Sequence, residues 1–210
     1  VESNTSFTFQ KHKRIIFSGN NYSKDWEEEA EKRGLLNLKT TVDALPLYAS
    51  DKNVEMFAKL KVLSKSEILS RTEILLENYS NIVHIEAITA LDMARKEIVP
   101  SVIKYQSFLL KELKEKKKLS ISLDCRLEES LIDKISRLSG DLYLAIDALN
   151  DDLKGYDLTK SNYDKAVYCR DVLLKDMNEV RAFADEIELI IGKEFYPFPS
   201  YEDILYSVKD

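Results

Sequence analysis

From Ser64 to Gly140 the sequence contains no glycine, and Pro100 is the one residue in that run that cannot donate a backbone hydrogen bond. Glycine and proline punctuate turns, so a stretch this long without them has to be built from few, long elements. The whole chain of 210 residues carries 5 Gly and 4 Pro, too few for the many reversals of an all-β or α/β fold. Its 44% hydrophobic residues supply enough apolar material for a packed core, which sets disorder aside.

Within that run the apolar residues recur at helical spacing. Leu76, Val83, Ala87, Leu91, Ala94, Ile98, Val102, Tyr105 and Leu109 fall on one drifting face. Ser64 and Glu67 stand at capping-box spacing ahead of it, and Pro100 is expected to bend the helix. The polar segment from Lys117 to Asp124 leads to a second helix. There Leu131, Ile135, Leu138, Leu142, Ala145 and Leu149 step by four and three, which is a heptad seam. After a turn around Gly155, a third helix carries Leu173, Met177, Val180, Ala184, Ile187 and Ile191, closed by Gly192. Short connections force such helices to run up, down and up. The expected fold class is therefore all-α, with short N-terminal helices followed by an antiparallel bundle of three long helices. Phe195, Tyr196 and Phe198 are expected to seal a bundle end, ahead of a last helix capped by Ser200 with Asp203 at the capping-box position.

Before Ser64 the pattern is less regular. Residues Val1 to Gln10 show neither cap nor periodicity, and His12 to Ser23 is the one plausible strand, a β-branched and aromatic run followed by a turn. Ser23 then caps a charged helix anchored by Trp26 and Ala30 and ended at Gly34. Thr41 and Ser50 cap two further short helices, the second with Val54, Phe57 and Leu60 on one face.

Charge excludes several function classes. The net charge is -6, and the 32% charged residues mix both signs, whereas nucleic-acid binding calls for a one-sided basic surface. The cluster Lys111, Lys114, Lys116, Lys117 and Lys118 is diluted by Glu112 and Glu115 and reads as a solvated helix end. No apolar run reaches the roughly 18 residues of a membrane span, and the first residues lack a signal-peptide core. Neither nucleic acid nor membrane is expected as a partner, and the expected location is the cytoplasm. Cys125 and Cys169 lack metal or redox spacing and read as reduced, core-facing thiols.

Chemistry-bearing residues do not converge. The two histidines, His12 and His84, are far apart, and Asn81 stands where a Glu-x-x-His di-iron motif would need glutamate. Glu186 and Glu188 are about 200° apart around a helix and cannot share an ion. Glycine-rich phosphate loops and a nucleophile elbow are absent. Ser18 to Tyr22 reads as a structural turn, Glu86, Asp92 and Arg95 as a salt-bridged or solvated trio in which Asp92 and Arg95 are helical neighbours, and His84 as a semi-buried or surface histidine. No catalytic, cofactor-binding or metal-ligating residue is assigned. The 11 tyrosines suit packing and contacts between domains or subunits.

A series of segments carries a family resemblance: EAEKRGLLNLKTTVDALP from Glu29 to Pro46, SDKNVEMF from Ser50 to Phe57, SRTEILLENY from Ser70 to Tyr79, and IEAITALDMARKEIVP from Ile85 to Pro100. In this order they resemble type III glutamine synthetase over roughly His12 to Tyr105. The family pattern FNGNGY is replaced by Phe17-Ser18-Gly19-Asn20-Asn21-Tyr22, and an aromatic by Thr72. The resemblance implies a C-terminal helical region, with the catalytic barrel and its nucleotide, metal and glutamate ligands upstream. It implies a parent that joins ammonia to glutamate with ATP and magnesium in stacked hexameric rings. Its partners would be the upstream catalytic domain and neighbouring subunits of a homo-oligomer. On that reading residues 1–22 are the tail of an upstream catalytic domain or a truncated edge, 23–63 short helices, and 64–210 the long-helix bundle with its C-terminal cap. The alternative is a free-standing helical adaptor or oligomerisation module whose heptad faces take a partner helix.

Overall fold

The computed structural model describes residues 2–120 and 122–207, and of residues 2–6 the backbone alone. All regular structure among them is helical, and it falls into two compact units, Val1–Ser64 and Lys65–Asp210.

The first unit consists of α1 (Glu2–Lys11), a 3-10 turn (Lys13–Ile15), α2 (Lys24–Lys32), α3 (Thr41–Tyr48) and α4 (Asp51–Lys59). Helix α1 occupies residues that show no sequence pattern. The strand expected between His12 and Ser23 is not formed. A lone β-run needs a partner ladder, and here Ile15 and Ile16 donate instead to the carbonyls of His12 and Lys13. Arg33 takes the free carbonyls of Arg14 and Ile16 at 3.4 and 2.8 Å. The Phe17 ring lies 4.4 Å from that of Trp26, which also carries the Arg33 guanidinium at 5.8 Å. Gly34 closes α2 with φ of 68°, a conformation that favours glycine. The cap of α3 is Thr40, not Thr41: its hydroxyl accepts from the Asp43 amide at 3.1 Å. On α4, Val54 is buried and Phe57 half-buried, while Leu60 is exposed.

The second unit is built from three rods. The first joins α5 (Lys65–Met93) through a π-turn (Ala94–Ile98) to α6 (Val99–Leu119); the second is α7 (Arg126–Tyr156); the third joins α8 (Asn162–Tyr168) through another π-turn (Cys169–Leu173) to α9 (Leu174–Glu188). Polar contacts fix their directions. Arg95 reaches Asn150, Gln106 reaches Ser139 and Lys116 reaches Glu128, over sequence separations of 55, 33 and 12, so α7 runs against the first rod. Asn162 reaches Glu73 and the Cys169 thiol reaches the Ser80 carbonyl, each across 89 residues, so the third rod runs alongside α5. The α7 seam is buried as its spacing requires: Ile135 and Leu149 have no exposed surface, and Leu142 has 1%.

Two expected boundaries shift in this unit. Pro100 sits just after a π-turn, which passes the Val99 amide to the Ala94 carbonyl and accommodates a residue with no amide hydrogen. The turn expected around Gly155 begins two residues later, because α7 continues to Tyr156 and the Leu158 amide then donates to the Gly155 carbonyl. The third rod ends at Glu188 instead of Gly192. The connection after Leu119 is shorter than its sequence suggests, and Ile121 within it lies outside the described residues.

Beyond α9, Phe195 packs on Tyr105 and Phe108 with ring separations of 5.4 and 5.3 Å. These partners lie well short of the α6 terminus at Leu119, so the aromatic segment closes the end of the third rod. A final helix, α10 (Tyr201–Leu205), carries the capping box of Ser200 and Asp203 in full. Lys193 pairs with Asp203 at 2.7 Å and, with the Ser200 hydrogen bonds, pulls that carboxyl down to about 2.

Candidate functional site

The residues singled out from sequence are dispersed by the fold. On α5, Asp92 pairs with Lys96 at 2.6 Å and not with Arg95, whose guanidinium donates to Asn150 on α7 at 2.9 Å. Glu86 is exposed. His84 is half-buried and stacks on Tyr156 with ring centres 4.1 Å apart, and the Lys165 ammonium lies 5.0 Å from that same tyrosine ring. Tyr156 donates to Asn81 at 3.4 Å, so the histidine and the asparagine that replaces a di-iron glutamate both serve the contact between α5, α7 and α8. Glu186 and Glu188 are both exposed on α9, and Glu188 accepts from the Tyr196 hydroxyl at 3.2 Å. At Ser18–Tyr22, the Asn20 side chain accepts from the Tyr22 amide, which makes this a self-contained Asx turn.

The lysine cluster is used for pairing. Lys116 and Lys117 cross to Glu128 and Glu129 at 2.9 and 2.6 Å, and Lys118 turns back to Glu115 at 2.8 Å. The first two pairs tie the end of α6 to the start of α7. The cysteines part ways: Cys169 is buried, with desolvation pushing its thiol up to about 11. Cys125, expected in the core, is instead half-buried in the loop before α7, because the helix starts one residue later and its thiol reaches only the Leu123 carbonyl.

One polar arrangement is not among the residues singled out from sequence. Asp176 on α9 is 8% exposed, and its Oδ2 is buried without a hydrogen-bond partner among protein atoms. Burial first, then the hydrogen bond and charge of Asp152 on α7, raise its pKa to about 6. Glu179 raises it further, and Lys175 opposes the shift. Beside the pair, Tyr168 donates to the Asp152 carbonyl at 2.8 Å. Its ring leaves no room on Gly155, where an added Cβ would lie 2.9 Å from Cζ. The spacing of Leu173, Asp176 and Val180 was the available signal, since it sets a carboxylate directly into the seam.

A groove of about 390 Å³ lies beside the first π-turn, lined by Ala90, Met93 and Ile98 on one side and Met177, Val180 and Tyr196 on the other. Its surface is mostly apolar, and Glu86, Asn178, Arg181 and Asp185 line it as well. Among the described residues no group of three His, Cys, Asp or Glu side chains could hold a metal ion.

These features define an all-helical domain whose polar groups join helix to helix, and no described helix is long and apolar enough to cross a membrane. The family profile described as glutamine synthetase C-terminal domain matches residues 2–117, more than half of the chain, and the chain belongs to that family. It is 37% identical over 202 residues to a glutamine synthetase of Butyrivibrio fibrisolvens, covering 96% of this chain and 29% of the relative. It is 31% identical over 208 residues to the type-3 glutamine synthetase of Dictyostelium discoideum, covering 95% and 28%. A glutamine synthetase of Bacteroides fragilis (strain YCH46) is 26% identical over 197 residues, with 92% and 27% covered. The chain thus spans under a third of the length of these relatives. The similarity also reaches beyond the His12 to Tyr105 window legible in the sequence, taking in α1 and both later rods.

Proposed function

We propose that this chain is the non-catalytic C-terminal helical region of a type III glutamine synthetase-like ligase, and that it supports assembly or stability of the parent. The parent joins ammonia to glutamate using ATP and magnesium in a cytoplasmic homo-oligomer, with its reacting groups upstream of this region. The observation that carries the reading is the match along nearly the whole chain to relatives named glutamine synthetase, of which it spans only 29%. What supports the structural half is the use of the polar groups: Arg95, Gln106, Lys116 and Asn162 all bond from one helix to another. Phosphoryl transfer needs cationic clamps and metal-bridging carboxylates fixed around one phosphate chain, and these side chains are spread along the rods.

Two measurements test this. ATP turnover by residues 1–210 with glutamate, ammonia and magnesium is expected to be nil; metal-dependent turnover by the pure chain would overturn the non-catalytic half. Deleting residues 65–210 from the full-length ligase is expected to shrink its oligomer or lower its melting temperature. A truncated ligase of unchanged size, stability and activity would remove the structural role.

A further inference from the structure

The face of α5 turned away from its own bundle is apolar and uncharged. Ile68, Leu76, Val83 and Ala87 point inward and are at most 5% exposed. On the opposite side Ile74, Leu75, Ile82, Ile85 and Ile88 are between 45% and 62% exposed. At 100° per residue these five share one face with Asn78 and Thr89; Glu77 and Glu86 fall at its margins, as does Asn81, whose side chain accepts from Tyr156 on α7. Between Arg71 and Asp92 that face carries no charge at all, in a chain with 32% charged residues. A helix apolar on both sides is built to be covered on both sides.

Size decides what covers it. From Ile74 to Ile88 the stripe is about 21 Å long, at 1.5 Å per residue, and about 10 Å wide. Its footprint is on the order of 200 Å², against the roughly 800 Å² per partner of a stable complex between separate molecules. A patch this small holds a partner that is already tethered, where the effective concentration reaches the millimolar range. The relatives supply such a partner, because more than two thirds of their length lies outside the span this chain matches.

We infer that the Ile74–Ile88 face of α5 docks against the catalytic part of its own chain, as an intramolecular seam with an aliphatic, uncharged surface on that part. The inference rests on the proposed function and names the surface through which it acts. The test uses the full-length ligase with benzoylphenylalanine in place of Ile85, assembled from a mixture of natural-abundance and nitrogen-15 chains. After irradiation, mass spectrometry of the digest is expected to find Ile85-site cross-links to the upstream catalytic part, within chains of one isotope. Cross-links to residues 1–64, mixed-isotope links, or no link at all would overturn the inference. In the same protein Ile82→Lys is expected to lower the melting temperature, and Leu127→Lys, at a leucine 68% exposed on α7, to leave it unchanged; equal effects would also count against the seam. If deletion of residues 65–210 weakens the ligase while Ile85 links elsewhere, only this seam fails. If the deletion has no effect, the structural role fails with it.

Discussion

Replacing Asp176 by asparagine removes a proton-binding group from the α7–α9 interface at almost no change of shape. In the folded chain Asp176 titrates at about 6, against an ordinary value of 3.8. A carboxyl with a raised folded pKa binds its proton more tightly folded than unfolded. Its contribution to stability is therefore fully present below pH of about 4 and is lost as the pH rises through about 6. Two pKa units at about 1.4 kcal/mol each put the cost of the ionised form near neutrality at about 3 kcal/mol. The leading cause is burial, and Asp152 is the second, so both the low dielectric and the like charge are relieved by an amide. Asp176→Asn is expected to be more stable than the parent by about 2–3 kcal/mol at pH of about 8, with the advantage shrinking towards pH of about 4. Urea unfolding of both chains at several pH values measures the difference, so other carboxylates such as Asp203, whose lowered pKa works in the opposite sense, cancel. Parallel stability curves for the two chains would refute the reasoning, as would a variant less stable than the parent at the higher pH.

Leu149→Ala, at a fully buried seam position of α7, is expected to cost about 2–5 kcal/mol, while Leu144→Ala, 65% exposed on the same helix, stays within about 0.5 kcal/mol; chemical denaturation of both reads the seam directly. The two glycines of α7 should respond with opposite signs. At Gly140 an added Cβ meets nothing within 4 Å, and Gly140→Ala is expected to stabilise by about 0.5–1 kcal/mol. At Gly155 the Cβ meets the Tyr168 ring, and Gly155→Ala is expected to destabilise by about 1–3 kcal/mol. In a double-mutant cycle Tyr168→Phe should recover part of that loss, since the hydroxyl is the nearest atom.

Much of the second unit was legible because one periodicity governs it. A seam stepping by four and three has to face inward, and Ile135, Leu138, Leu142 and Leu149 do. The π-turns were not legible. Ala94, Ile98 and Val102 step by four straight through the first of them, so the apolar pattern does not register the wider winding. Gly155 signals the turn that follows it, but its place inside α7 also answers to a tyrosine on the next helix, which no local signal shows. The His12–Ser23 run carried real β-propensity, and among the described residues no strand stands beside it to complete a ladder. Of the polar groups, His84, Asp92 and Arg95 have structural partners, Tyr156, Lys96 and Asn150, that could not be read from spacing. Asp176 falls in the seam by its spacing from Leu173 and Val180, but an apolar pattern selects its neighbour Met177 instead.

The two π-turns give the rods something a plain helix lacks, a place where chain length is negotiable. Removing one residue from the middle of α7 would rotate everything after it by about 100° and throw the rest of its seam out of register. A π-turn already holds one residue in excess of the α-helical winding, so taking one out tightens it to an ordinary turn while the helices on either side keep their facing. The second turn, Cys169–Leu173, suits this best: it has no proline behind it, and Asp171 within it is exposed. Family members one residue shorter at this point can therefore carry the same three-rod packing, and a single-residue gap there would mark conserved architecture, not a broken one.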